Sequence, residues 1–182
     1  MQKDMEFREP PFSRFLFANT KMAWFWLVVR LYVGYEWLMA GWGKFQNPAW
    51  NGSSAGAAVK GFLLGALDKT AGAHPDVQGW YGSFIQNVAL PHTTFLANLV
   101  TYGELLVGIA LILGVFTGIA AFFGTFMNLN YLLAGTVSTN PVLLILQLFL
   151  ILAWRVAGWY GLDRYVLPAL GTPWQKGSLL GK

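Results

Sequence analysis

Arg30, Glu36 and Glu104 stand inside runs of otherwise apolar residues, each long enough to cross a bilayer. A full charge at the bilayer centre costs on the order of 3 kcal/mol even on the mildest insertion scale, so such residues face a protein interior, pair, and mark a site or proton path. Trp26, Arg30, Gly34, Trp37, Gly41 and Lys44 recur at steps of four and three, which places them on one helical face. Glycines on that face admit a neighbouring backbone or a flat ligand, and the tryptophans set π surfaces beside the cations. Glu36 points off this stripe and needs a partner from another helix or from water. Glu104 lies near the middle of the second run, on a face with Thr101 and Gly108, and is the expected counter-charge of Arg30. The third run carries Gly124, Asn128, Tyr131, Gly135 and Ser138 on one line, and the fourth carries Gln147, Ile151, Arg155 and Gly158. Four polar stripes are the pattern of four helices converging on a shared polar centre.

The residue types limit the chemistry of that centre. His74 and His92 lie in a connection and not on facing helices, which excludes a bis-histidine haem within the chain. There is no cysteine, so neither a thiolate nucleophile nor a cysteine-held iron–sulfur cluster is expected. No strand-borne G-x-G-x-x-G or P-loop suggests a flavin or nucleotide. Cations, carboxylates, amides and tryptophans remain. A cleft of that kind suits a flat amphipathic ligand such as a quinone. Arg30 would position or polarise a carbonyl, and Glu104 or Glu36 would handle protons. Trp26, Trp37, Lys44, Asn128 and Arg155 would line the ligand. Each also has a plainer role open to it. Arg155 can snorkel to the headgroups, Lys44 can anchor at the interface, and Asn128 and Gln147 can serve as interhelical glue.

The elements that must hold these residues follow from composition. With 55% hydrophobic and 11% charged residues, and none charged from Leu105 to Trp154, the chain reads as an all-α integral membrane protein. The net charge of +4 is spread thinly and gives no nucleic-acid signal. Expected spans are 22–44, 94–115, 118–139 and 141–160, forming an antiparallel four-helix bundle. An amphipathic lead-in (1–21) carries Phe7, Phe12, Phe15 and Phe17, and a tail covers 161–182. The long connection 45–92 holds two short apolar segments, 55–67 and 77–90, expected as interfacial or re-entrant helices. Lys3, Arg8, Arg14, Lys21, Arg164, Lys176 and Lys182 outnumber Lys44, Lys60 and Lys69, which puts both termini on the cytoplasmic side of the plasma membrane.

Arg30-x3-Gly34-x6-Gly41-x2-Lys44, followed by Glu104-x3-Gly108 and Gly114, resembles the DoxX/DoxD group of four-helix membrane proteins. The run from Asn130 to Pro168 is similar to members described as the large subunit of thiosulfate:quinone oxidoreductase. The resemblance implies a membrane oxidoreductase, or its membrane subunit, passing electrons from a small reduced sulfur compound to a menaquinone, ubiquinone or caldariella-type quinone. It carries Arg30, Lys44 and Glu104 by motif, and it implies a small partner subunit. Self-association, a non-catalytic subunit that docks a redox partner, and a small proton-coupled transporter are the alternatives the residues leave open.

Overall fold

The structure, a computed structural model, describes residues 9–171. The start of the lead-in with Phe7, and the tail from 172 onward, lie outside the described residues, as do Lys3, Arg8, Lys176 and Lys182. Every regular element among the described residues is helical. Helices occur at the expected positions: α1 (Pro11–Ala18) in the lead-in, α2 (Ala23–Phe45), α3 (Ala57–Asp68), α4 (Gly79–Phe84), α5 (Thr93–Leu113), α6 (Thr117–Leu133) and α7 (Asn140–Leu152). Two short helices follow, α8 (Trp154–Ala157) and α9 (Asp163–Ala169).

The pairing of α2 with α5 organises the rest. Gly34, Gly41 and Gly108 lie where the two backbones touch. A Cβ on Gly41 would come within 2.7 Å of the Leu105 nitrogen, and one on Gly108 within 2.5 Å of the Leu38 nitrogen. The glycine stripe of α2 therefore admits a neighbouring backbone, not a ligand. This contact also fixes an antiparallel register, with Gly34 beside Leu111 and Ile112 and Gly41 beside Glu104 and Leu105.

Two segments depart from the sequence expectation. The second apolar segment of the connection is not a separate helix. From α4 the chain passes through a π turn (Ile85–Ala89) and a 3-10 turn (Leu90–His92) directly into α5. The resulting 35-residue run, Gly79–Leu113, is long and apolar enough to cross a membrane. Pro91 accounts for the irregular turns, since it has no N–H to donate and its ring clashes with the carbonyl four residues back. The fourth expected span is also interrupted. α7 has 13 residues, and the buried Ala153 leaves helical geometry before α8 resumes. The break seats Trp154 against Gly118, where an added Cβ would lie 2.7 Å from that of Trp154.

The connection between α2 and α5 is an ordered layer. Val59, Leu63 and Ala66 of α3 pack with Val77, Tyr81, Ile85 and Ala89 in a second core, apart from the main one around Trp26, Trp37, Leu111 and Leu150. The lead-in is tied down as well. Trp26 Nε1 donates to the Leu16 carbonyl at 2.7 Å, and Phe17 stacks on both Trp26 and Phe149. Phe12 and Phe15 stay exposed, so only part of the aromatic set is free to lie in an interface.

The α2–α5 contact generates a paired prediction. Gly108→Val should destabilise the protein by about 1–3 kcal/mol or more through overpacking against α2. Gly43→Ala, at a position with no atom near the added methyl, should be neutral or slightly stabilising. Thermal unfolding of the two variants in detergent reads the difference; equal midpoints would remove the close contact as the organising feature.

Candidate functional site

Three side chains from three helices meet at Glu104. Its Oε2 accepts a hydrogen bond from Lys44 Nζ at 2.7 Å, and its Oε1 accepts one from the Tyr131 hydroxyl at 2.6 Å. Glu104 is 1% exposed and the Lys44 side chain 20%. Carboxylate burial on this scale persists only when the charge is paired and hydrogen-bonded, which this geometry provides on both oxygens. Lys44 also sits 5.1 Å from the centre of the Trp50 ring, so its open side meets a π face. The register set by Gly41 and Gly108 brings Lys44 over Glu104, and the α5–α6 turn returns Tyr131 to the same depth.

Tyr131 also belongs to the wall of an apolar cavity of about 570 Å³ beside α3, α4, α5 and α6. Trp50, Phe62, Val107 and Met127 are among its other walls, and Phe62 meets Tyr131 edge-on at 6.2 Å. Across the cavity, the Tyr81 hydroxyl donates to the carbonyl and side-chain oxygens of Asn130, each at 3.1 Å. The volume is that of a small-molecule pocket, and its wall is largely aromatic and aliphatic with a few placed polar groups.

Arg30 is not the counter-charge of Glu104. Its guanidinium donates to the carbonyls of Leu111, Ile112 and Tyr160, the last two at 3.0 and 3.2 Å. These include carbonyls at the end of α5, which have no partner inside their own helix, and a cation there also meets the negative end of the helix dipole. Gly114, with φ +65°, makes room for it, because a side chain there would occupy the guanidinium's place. Asp163 performs the complementary task for α6. Its carboxylate accepts the backbone N–H groups of Phe116 (2.6 Å) and Thr117 (2.9 Å) at the start of that helix. Arg30 and Asp163 thus brace the same α5–α6 turn.

The remaining candidates separate. Trp26 is a core residue bonded to Leu16. Trp37, Asn128 and Gln147 are buried, and the Trp37 Nε1 and both amides make no hydrogen bond among the described residues. Arg155 lies partly exposed, paired with Glu9 at 3.1 Å and resting against Trp154. Glu36 is partly exposed with no ion pair or hydrogen bond among the described residues. Neither Trp26, Arg30, Trp37, Lys44, Asn128 nor Arg155 lines the 570 Å³ cavity. Tyr131 is the residue the sequence reading left out of the site. It stood on the polar stripe of α6, one turn beyond Asn128, and a phenol level with a buried carboxylate was the available signal.

These features place the molecule among helical membrane proteins with a buried ion pair beside an apolar cavity. The chain belongs to the DoxX family: the family model described as DoxX matches residues 25–137, more than half of the sequence. The matched region takes in nearly all of α2 and the chain through α6, with Lys44, Glu104, Tyr131 and the whole cavity wall. It ends short of most of the 130–168 run that carried the thiosulfate:quinone resemblance. No curated protein and no solved structure matches the chain.

The ion pair can be tested by a double-mutant cycle. Lys44→Met alone leaves a buried carboxylate without its cation and should cost about 3–5 kcal/mol. Lys44→Met combined with Glu104→Leu should cost clearly less than the sum of the two single changes. Denaturant or thermal titration in detergent reads all three, and additive losses would show that the two residues do not act as a pair.

Proposed function

We propose that this DoxX protein is a four-span membrane oxidoreductase, or the membrane subunit of one, that binds a quinone in the cavity beside Tyr131 and delivers protons to it. In this reading α2, α5, α6 and the interrupted α7–α8 cross the plasma membrane, with both termini cytoplasmic. The connection holding α3 and α4 then covers the outer mouth. The observation that carries the proposal is the double membership of Tyr131, in the cavity wall and in the Lys44–Glu104 ion pair.

The residues fit such a ligand. An aromatic and aliphatic wall suits a ring and an isoprenoid-like chain, and Tyr131 offers a hydroxyl beside the cavity. When bound, a quinone supplies a two-electron acceptor whose reduction consumes protons. The chain's own part is proton handling. The Tyr131 hydroxyl gives a proton toward the ligand and regains one from the Lys44 ammonium by way of the Glu104 carboxylate, and Lys44 takes up a replacement proton on its partly exposed side. Arg30 takes no part in this step, since its hydrogen bonds go to the α5–α6 turn. The electron donor is a small reduced sulfur anion such as thiosulfate arriving at the outer side. The resemblance supports that donor class.

A second reading has its own support. The Glu104 oxygens are already satisfied by Lys44 and Tyr131, as in a structural network. The protein would then be a non-catalytic membrane subunit that docks a redox partner.

Binding and turnover separate the two. The purified protein should bind a soluble menaquinone analogue, and Gly103→Leu, which projects a side chain from the cavity wall, should weaken that binding. Glu104→Gln and Tyr131→Phe should leave binding largely intact and lower thiosulfate-dependent quinone reduction by about 10²-fold or more. Binding without turnover in the parent protein would favour the subunit reading, and absence of binding would reject the quinone site.

A further inference from the structure

Glu36 stands near the middle of α2, partly exposed, to one side of the buried stripe of Trp26, Arg30, Trp37 and Gly41. Val28, Tyr32, Tyr35, Met39 and Gly43 step by four and three along the side opposite that stripe, with Glu36 at the edge of their face. Tyr32 is 44% exposed, Tyr35 57% and Met39 49%. No described residue comes near a methyl group placed on Gly43. α2 packs on α5, α7 and α8, and its buried residues Trp26, Val33, Trp37 and Gly41 lie away from Tyr32 and Met39. Among the described residues neither Glu36 nor the two phenols has a hydrogen-bond partner.

In the four-span arrangement, on which this inference rests, that face looks into lipid at the depth where unpaired polar groups are least tolerated. Tyrosine belongs at the membrane–water interface by preference, not in the middle of a span. Three polar-bearing residues within a turn and a half of lipid-facing helix therefore call for a partner beyond the described residues.

We infer that the Tyr32–Tyr35–Glu36 face of α2 is a self-association surface that pairs two copies of this protein in the membrane. The choice of a second copy follows from complementarity. The face carries an acceptor, the Glu36 carboxyl group, and two donors, the phenols. Copies inserted in the same sense are related by an axis along the membrane normal, so each residue meets its neighbours' equivalents at the same depth. Glu36 of one copy then lies level with the partner's Tyr35 and less than two turns from the partner's Tyr32, a separation of about 1.5 and 6 Å along the axis. Each carboxyl group receives phenolic donors and each phenol finds an acceptor, through a surface identical on both sides. Gly43 lets the two helices close in on the outer side.

The absence of cysteine makes the test direct. Met39→Cys on the proposed surface and Ile109→Cys on α5, which is 45% exposed, are oxidised in native membranes with copper phenanthroline. Met39→Cys should give a disulfide-linked species of twice the chain mass, several-fold more than Ile109→Cys. Adding Glu36→Leu, or Tyr32→Phe with Tyr35→Phe, should reduce that species several-fold, and Glu36→Gln, which still accepts a hydrogen bond, should retain more of it. Equal linking at both positions, or an adduct only with a different protein, overturns the inference. A water-soluble maleimide distinguishes the two levels of failure. Met39→Cys that stays unlabelled but unlinked leaves the four-span arrangement standing without the dimer, whereas ready labelling shows that this face is not in lipid.

Discussion

The close approach of α2 to α5 is the constraint on which the rest depends. Gly34, Gly41 and Gly108 remove the side chains that would hold the backbones apart, and the antiparallel register they fix decides which charge meets which group. Displacing that register by one turn would move Lys44 from Glu104 and Arg30 from the end of α5. Arg30 and the Glu104 carboxylate would then be buried without partners, a cost added to the packing lost at three glycines. The glycines set the distance, and the charges make one register the favoured one.

The same helix pair divides the buried charges into two groups with different work. At one end, Arg30 and Asp163 satisfy the loose carbonyls of α5 and the loose N–H groups of α6, so two ions replace the caps that the α5–α6 turn cannot supply for itself. Neither Arg30 nor Asp163 lines the 570 Å³ cavity. Toward the other end, Lys44 and Glu104 are joined by a phenol that does. Each place holds a buried carboxylate and a cation, and the 570 Å³ cavity lies beside the second. Location relative to the cavity, not depth of burial, is what separates a bracing ion from a candidate for chemistry.

That distinction also explains which parts were legible in the sequence. The helices at α2, α5 and α6 were readable because long apolar runs and turn residues carry most of the signal locally. Glu104, Lys44 and the polar stripe of α6 were readable for the same reason, since periodicity places residues on a face. The pairing was not, because it depends on the register between helices. Arg30 looked like the natural mate of Glu104 until α5 proved to end beside it. Counting depth along two antiparallel helices would have warned against that pair. The joining of α4 to α5 through Pro91 was hidden for another reason, since a proline signals a break and gives no hint that a π turn will absorb it. The interruption at Ala153 had no signal at all, as alanine is the strongest helix former and only packing of Trp154 on Gly118 distinguishes the site.

The hydrogen bond from Tyr131 to Glu104 bears most directly on what the site can do. An ion pair sealed in an apolar core is weak evidence for stability, because well-packed hydrophobic residues of similar volume often serve as well. Lys44 and Glu104 are not sealed in that way. Lys44 keeps one side on Trp50 and partial exposure, and Glu104 reaches the cavity wall through a single phenol. A purely structural pair needs neither feature. A proton route needs both: a group that can exchange with the outside, and a chain of short hydrogen bonds leading to where a ligand would lie. On the proposed reading, the same contacts that tie three helices together also carry a proton to Tyr131.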